Sequence, residues 1–180
     1  MSVKYGLCNA HYAKILNTGG YAAPKRLAGA ENLTLNDHAD FRILRAAGID
    51  YPAATAGSYK SGELGIASLP LSFLTEIMGY RNNNGVLIEM QTHSEHFALL
   101  FESLNSGYPE RFVYYDCMAI APEFERETTG DSVKVVTEKL SIVATRPLAR
   151  LLRGWNADYK AQVSFGHQAF DTWFDEVYAQ

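Results

Sequence analysis

Cysteine is scarce in this chain. The 180 residues hold two, Cys8 and Cys117. That is too few for the dense disulfide framework of a small secreted domain, and both read as free thiols, Cys117 as a buried strand residue in "YYDCMAI". No apolar run approaches the ~20 residues of a membrane-spanning helix. The start, "MSVKYGLCNAHYAKIL", lacks the basic-then-apolar order of a secretory leader. A soluble protein of a reducing compartment is expected. Lys and Arg are never gathered into a block, so a nucleic-acid footprint is not visible. Residues 1–90 carry eight basic and seven acidic side chains, residues 91–180 eight and thirteen, so the net charge of -4 lies in the second half.

What is present is hydrophobic residue (47%) and aromatic residue (12%) in short β-prone runs separated by turn chemistry. "YAKIL" (12–16) ends in "NTGG". "NLTLNDHADFRIL" (32–44), "YKSGELGIASL" (59–69) and "GVLIEM" (85–90) follow. "EHFALLFESL" (95–104) and "RFVYYDCMAIA" (111–121) flank the hairpin-like "NSGYPE". "SVKVVTEKLSIVAT" (132–145) alternates with an offset that fits a bulge or two strands. About eight strands are expected.

Two stretches break this period. In "SLPLSFLTEIMG" (68–79), Leu71, Leu74 and Met78, with Phe73 and Ile77 beside them, recur at helical spacing. Ser68 is placed to cap, Pro70 falls in the first turn and Gly79 at the end. The chain closes on "QAFDTWFDEVYAQ", where Phe170, Trp173, Phe174, Val177 and Tyr178 make one stripe, with acids on the other side. The expected fold is therefore mainly β: a single-domain β-sandwich or barrel with one flanking helix over about 69–78 and a short C-terminal helix over about 169–178. The stripe either staples the C-terminus onto its own sandwich or packs against a neighbouring subunit.

Catalytic and metal-binding patterns are thin. "HSEH" sets His93 and His96 three apart, a metal spacing on a helix. At the start of a strand, i and i+3 point to opposite faces. Asp37, His38 and Asp40 in "NDHAD" could form a general base, without an evident nucleophile. Cys8 and His11 lack a third orienting group. The scattered glycines match no phosphate-cradling pattern. Arg146, Arg150, Arg153 and Trp155 in "RPLARLLRGW" read as a basic turn complementing the acidic half. No metal, no cofactor and no reaction class follow. Assembly is the expected work, and a small β-barrel enzyme or ligand-binding module using His93/His96 or Asp37/His38/Asp40 is the alternative.

In their order and spacing, "GLCNAHYAKIL", "YAAPKRLAGA", "LPLSFLTEIMGYRNNNGVLIE" and above all "FDTWFDEVY" resemble the major tail protein (tail tube) family of long-tailed, non-contractile phages and prophages. The resemblance runs from about residue 6 to 178. It implies a β-sandwich with a flanking helix, stacking as hexameric rings into a hollow conduit for DNA, which passes without specific binding. It implies a long hairpin loop around "RAAGIDYPAATAGSY" (45–59), with Ala47, Gly48, Ile49, Asp50, Tyr51 and Pro52 reaching the next ring. N- and C-terminal arms join subunits in such proteins. The partners implied are copies of itself and the tape-measure, tail-terminator and distal tail proteins. The place implied is the virion tail, assembled in the host bacterial cytoplasm, with no membrane. The sequence departs from this pattern in "EFERETTGDSVKVVTEK" (123–139) and "LARLLRGWNADYKAQVSFGH" (148–167). A tube of a contractile or secretion-type device would share the fold.

Overall fold

A computed structural model of the chain describes residues 4–38, 41–46, 49–54, 59–90, 94–105, 107–121, 137–147 and 158–178; for 4–5, 41–46 and 49–54 it describes the backbone alone. The architecture is mainly β, as expected. Twelve strands and two short helices are present among the described residues. Eight strands form one antiparallel sheet, and β7 (Arg81–Asn83) pairs with β8 (Val86–Ile88) in a small hairpin apart from it. From one end the large sheet runs β2 (Lys25–Arg26), β1 (Lys4–Lys14), β9 (Phe97–Asn105), β10 (Tyr108–Ile120), β11 (Glu138–Thr145), β6 (Tyr59–Ile66) and β3 (Ala30–His38). On the side of β10 away from β9, its first half pairs with β12 (Lys160–Ser164) and its second half with β11. The sheet curls until β1, beside the two-residue end strand β2, comes into contact with the opposite end strand, β3, which gives the sandwich its barrel-like form.

The strands are longer and more numerous than the alternation predicted. β1 starts eight residues before the expected run at Tyr12. Its early part is interrupted by register shifts around Gly6 (φ 76°) and Asn9 (φ 49°), so a strict period-2 pattern is absent there. β9 opens with Phe97, Ala98, Leu99 and Leu100, all fully buried. A strand buried on one face alternates; a continuous apolar run requires cover on both.

Both covers come from the two stretches with helical spacing. α1 spans Leu71–Glu76, shorter than the expected 69–78. It closes the concave face, where Phe73 meets Tyr12 and Phe97 edge-on at ring distances of 5.0 and 5.5 Å. Phe73, Ile77 and Met78 are buried, whereas Leu71, expected on the apolar face, is exposed. Pro70, not Ser68, is the N-cap and makes no side-chain cap. Gly79 does end the helix, at φ 74°, and lets the Tyr80 N–H return to the Leu74 carbonyl at 3.0 Å.

The C-terminal stripe covers the opposite face. Its helix, α2, is one turn, Gln168–Asp171, not the ten residues expected. The Phe170 carbonyl accepts from the Trp173 N–H at 3.3 Å and from the Arg111 guanidinium, and the Asp175 N–H turns back to Thr172 at 3.0 Å. These i→i−3 turns replace an α-helix while keeping the apolar side chains on one side.

Candidate assembly surfaces

β3 and β6 pair from Ala30↔Ile66 to His38↔Tyr59. Between them the chain runs through β4 (Phe41–Ala46) and β5 (Ile49–Ala54), paired from Phe41↔Ala54 to Ala46↔Ile49. This hairpin is a two-stranded sheet of its own, not hydrogen-bonded into the eight-stranded one. The register closes at Ala46↔Ile49; Ala47 and Gly48, between them, lie outside the described residues. Ile49, Asp50, Tyr51 and Pro52 are in β5. The loop expected around 45–59 is therefore a paired β-ribbon over 41–54. Pro52 has no backbone N–H to donate, which is tolerated in a ribbon with free edges. β3, which leads into the ribbon, is the last strand of the large sheet and is mostly exposed. It offers a row of backbone donors and acceptors on its outer side.

The C-terminal stripe packs within its own subunit. Phe170, Trp173 and Val177 are buried, Phe174 and Tyr178 half-buried, against Ala13, Ala98, Leu100, Val113 and Tyr115 of β1, β9 and β10. Trp173 stacks on Tyr178 at 5.4 Å and donates its indole N–H to the Phe112 carbonyl at 3.3 Å. The Tyr115 hydroxyl donates to the Tyr178 carbonyl at 2.8 Å. Arg111 fastens the segment's first turn: its guanidinium carbon lies 3.8 Å from the Phe170 ring centroid and 4.7 Å from that of Phe174, and Nε donates to Glu102 at 2.7 Å. His11 stacks on Phe174 at 4.5 Å. Its Nδ1–H donates to the Asn9 carbonyl at 2.8 Å, which fixes the tautomer. Burial pushes the imidazole below its ordinary value, and Arg26 and Arg111 push the same way. Sequence reasoning found the stripe but missed Arg111 and His11. A strand arginine between a turn and the run "FVYY" was the available signal, and only the pairing of β10 with β9 explains it.

His93 lies outside the described residues. His96 is held by Asp116, Nδ1 to Oδ1 at 2.5 Å. Asp116 is 1% exposed, set at a register shift in β10 between Tyr114 and Cys117. The hydrogen bond to Asp116 raises the His96 pKa against the opposing effect of burial. Asp40 lies outside the described residues. Asp37 pairs with Lys60, and His38 stacks on Tyr59 at 4.8 Å with Nε2 2.7 Å from the Ser61 hydroxyl. Among the described residues, His96, Asp37 and His38 each have a partner of their own. Cys8 and His11 do not meet either: the Cys8 thiol is directed to Glu102, 3.5 Å from Oε1. Burial and the Glu102 carboxylate hold that thiol above its ordinary pKa, away from thiolate reactivity. Among the described residues, no group of three or more His, Cys, Asp or Glu could hold a metal.

Compared with known proteins, the chain matches no family model and no curated sequence.

Proposed function

We propose that this chain is a structural subunit of a phage-type tail tube, a protein whose work is to join copies of itself into stacked rings around a DNA conduit. The observation that carries the reading is the 41–54 ribbon. It is a paired hairpin with its own sheet, in the segment that the resemblance assigns to inter-ring contact. Twelve residues of regular backbone that add nothing to their own subunit's sheet have a use if another subunit receives them. The outer side of β3, which faces β1 across a seam without strand pairing, supports the same reading, because unpaired edge strands are the ready route to pairing between subunits. Head-to-tail contacts that close make rings; contacts along the axis make a filament. A lumen that passes DNA without holding it needs no clustered Lys/Arg, and the net charge of -4 is compatible with that. Negative-stain microscopy of concentrated protein, alone and with partner tail proteins, is expected to show rings or tubes. Strictly monomeric protein under every such condition overturns the reading.

One observation favours a second reading, a small hydrolase. It is the 2.7 Å contact between the Ser61 hydroxyl and His38 Nε2. Its weakness is its setting, an exposed stretch of the β3–β6 ladder where the neighbouring Asp37 is tied to Lys60. Turnover of an activated ester that disappears in both Ser61→Ala and His38→Gln would establish it; equal turnover in the variants disposes of it.

A further inference from the structure

The curled sheet does not close by hydrogen bonds where its ends meet. A cleft of about 450 Å³ lies in that seam, between Gly6–Leu7 of β1 and Glu31–Leu35 of β3, with Phe101 and Tyr114 of the central strands among its lining residues. That is the size of a small-molecule site. Both walls are irregular at the same level. β1 shifts register between Tyr5 and Leu7, and β3 between Ala30 and Asn32. Bulges of this kind concentrate at barrel rims and beside binding sites. At Gly6 an added Cβ would meet nothing within 4 Å, so the wall is open there as well.

The chemistry of the lining is one-sided. Leu7, Leu33, Leu35 and Phe101 are half-buried apolar side chains that pack on the core behind them. Glu31 is the single charged residue of the lining, and the residues with polar groups besides it are Asn32, Ser103 and Tyr114. The Glu31 carboxylate already accepts from Thr137 at 3.1 Å, through Oε2. One step beyond Ser103 on the same face of β9 is Asn105. Its Nδ2 donates to Glu110 at 3.0 Å, while its buried Oδ1 has no hydrogen-bond partner among the described residues. A buried acceptor without a donor is costly, and a donor from outside relieves it. The Lys160 ammonium lies 5.6 Å from the Phe112 centroid, over a ring that adjoins the floor and is not part of the lining.

We propose that this seam binds a small molecule carrying a protonated amine on a flat apolar body. The body lies over Phe101 and the three leucines, and the ammonium faces Glu31, with Asn32 and Ser103 in the same lining and Asn105 just beyond it. The site does not need the assembly reading, although it shares β3 with the edge offered there for strand pairing, and binding is read on the unassembled subunit.

The test uses the full chain, labelled with nitrogen-15, and three probes. 2-Naphthylmethylamine carries both features. 2-Naphthoate keeps the body and reverses the charge. Nα-acetyl-lysine amide keeps the charge on a flexible chain, as a lysine of another protein would present it. The amine probe is expected to shift backbone amides of Gly6, Leu7, Leu33, Leu35 and Ser103. Naphthoate should bind about tenfold more weakly, because attraction to Glu31 becomes repulsion. The lysine amide should also bind about tenfold more weakly, for want of apolar area. Glu31→Gln should weaken the amine about threefold and strengthen naphthoate by about the same factor, so that the two converge. Ser103→Phe, which fills the cleft, should abolish binding; if it does not fold, the Glu31→Gln comparison decides. Equal affinity for the two naphthalene probes, shifts centred away from the seam, or undiminished binding by folded Ser103→Phe each overturn the proposal. A lysine amide that binds as tightly as the amine probe overturns the small-molecule assignment.

Discussion

At His96 and His11 the same ring chemistry is pulled in opposite directions. The Asp116 hydrogen bond raises His96 above 6.5, so the folded state holds a proton that the unfolded chain releases. Its stabilisation is complete below 6.5 and is lost as pH rises through the folded value. Burial lowers His11 below 6.5, so its contribution is present above that value and is lost as pH falls through the folded one. Urea unfolding across this range should therefore show His96→Gln losing the decline on the alkaline side and His11→Gln losing the decline on the acid side. Ring-proton titration checks the assignment: a His96 midpoint at or below 6.5 would show that burial, not Asp116, dominates. Gly62 gives a second test at this scale. A Cβ there would lie 1.7 Å from the Thr34 carbonyl oxygen, so the β3 backbone itself must move. At Gly65 the obstruction is the exposed Asn32 side chain, 2.6 Å away, which can swing aside. Gly62→Ala is expected to cost about 3 kcal/mol and Gly65→Ala clearly less, read from denaturant midpoints. Equal costs would mean that β3 yields as readily as a side chain. None of these pairs was legible in the sequence. His96 and Asp116 are twenty residues apart, and Gly62 meets Thr34 only once β3 and β6 are in register.

The two stretches with helical spacing show what periodicity does and does not encode at the scale of an element. It placed α1 on the sheet and singled out the right C-terminal side chains, because spacing records which residues share a face. It overstated helix length at both. At the C-terminus the acids Asp175 and Glu176 oppose a helix dipole, and Arg111 competes for the Phe170 carbonyl. Contacts with the sheet then select tight turns that bury the same stripe. The hydrophobic run at β9 was readable as a strand, but its burial on both faces required knowing where α1 and the C-terminal stripe come to rest. Trp173 tests the stripe as a unit. Its removal strips the Tyr178 stack and the Phe112 hydrogen bond and uncovers Leu100 and Val113. Trp173→Ala should cost about 3–5 kcal/mol, with loss of near-ultraviolet dichroism or a much lower unfolding midpoint. A subunit that keeps its midpoint and fails only in assembly would instead place the stripe's work between subunits.

At the scale of the whole molecule, the backbone of the 41–54 ribbon is hydrogen-bonded apart from the large sheet. The large sheet takes its hydrogen bonds from eight strands that include neither β4 nor β5. Among the residues whose side chains are described, the two hydrophobic clusters are complete with buried residues of the large sheet, α1, the C-terminal segment and connecting residues such as Leu27. Folding and ribbon are therefore separable by surgery, provided the cut respects register. Residues 39–40 and 55–58 flank the ribbon, and the β3–β6 ladder resumes at His38↔Tyr59. Replacing 41–54 by a two-residue Asn-Gly turn shortens a long hairpin without shifting that ladder. Loop-closure entropy favours the shorter connection, so the variant should fold at least as stably as the parent. If the ribbon is the axial contact, the variant should make no tubes in negative-stain micrographs while isolated rings persist, since ring closure draws on other surfaces. A variant that builds tubes of normal length removes the ribbon from assembly. One that yields neither rings nor tubes, while folded, assigns it to contacts within the ring as well. A cut at 48–57, set by the loop expected from sequence, would remove all of β5 and leave β4 unpaired. A failure of that variant would then report an exposed strand rather than a lost contact.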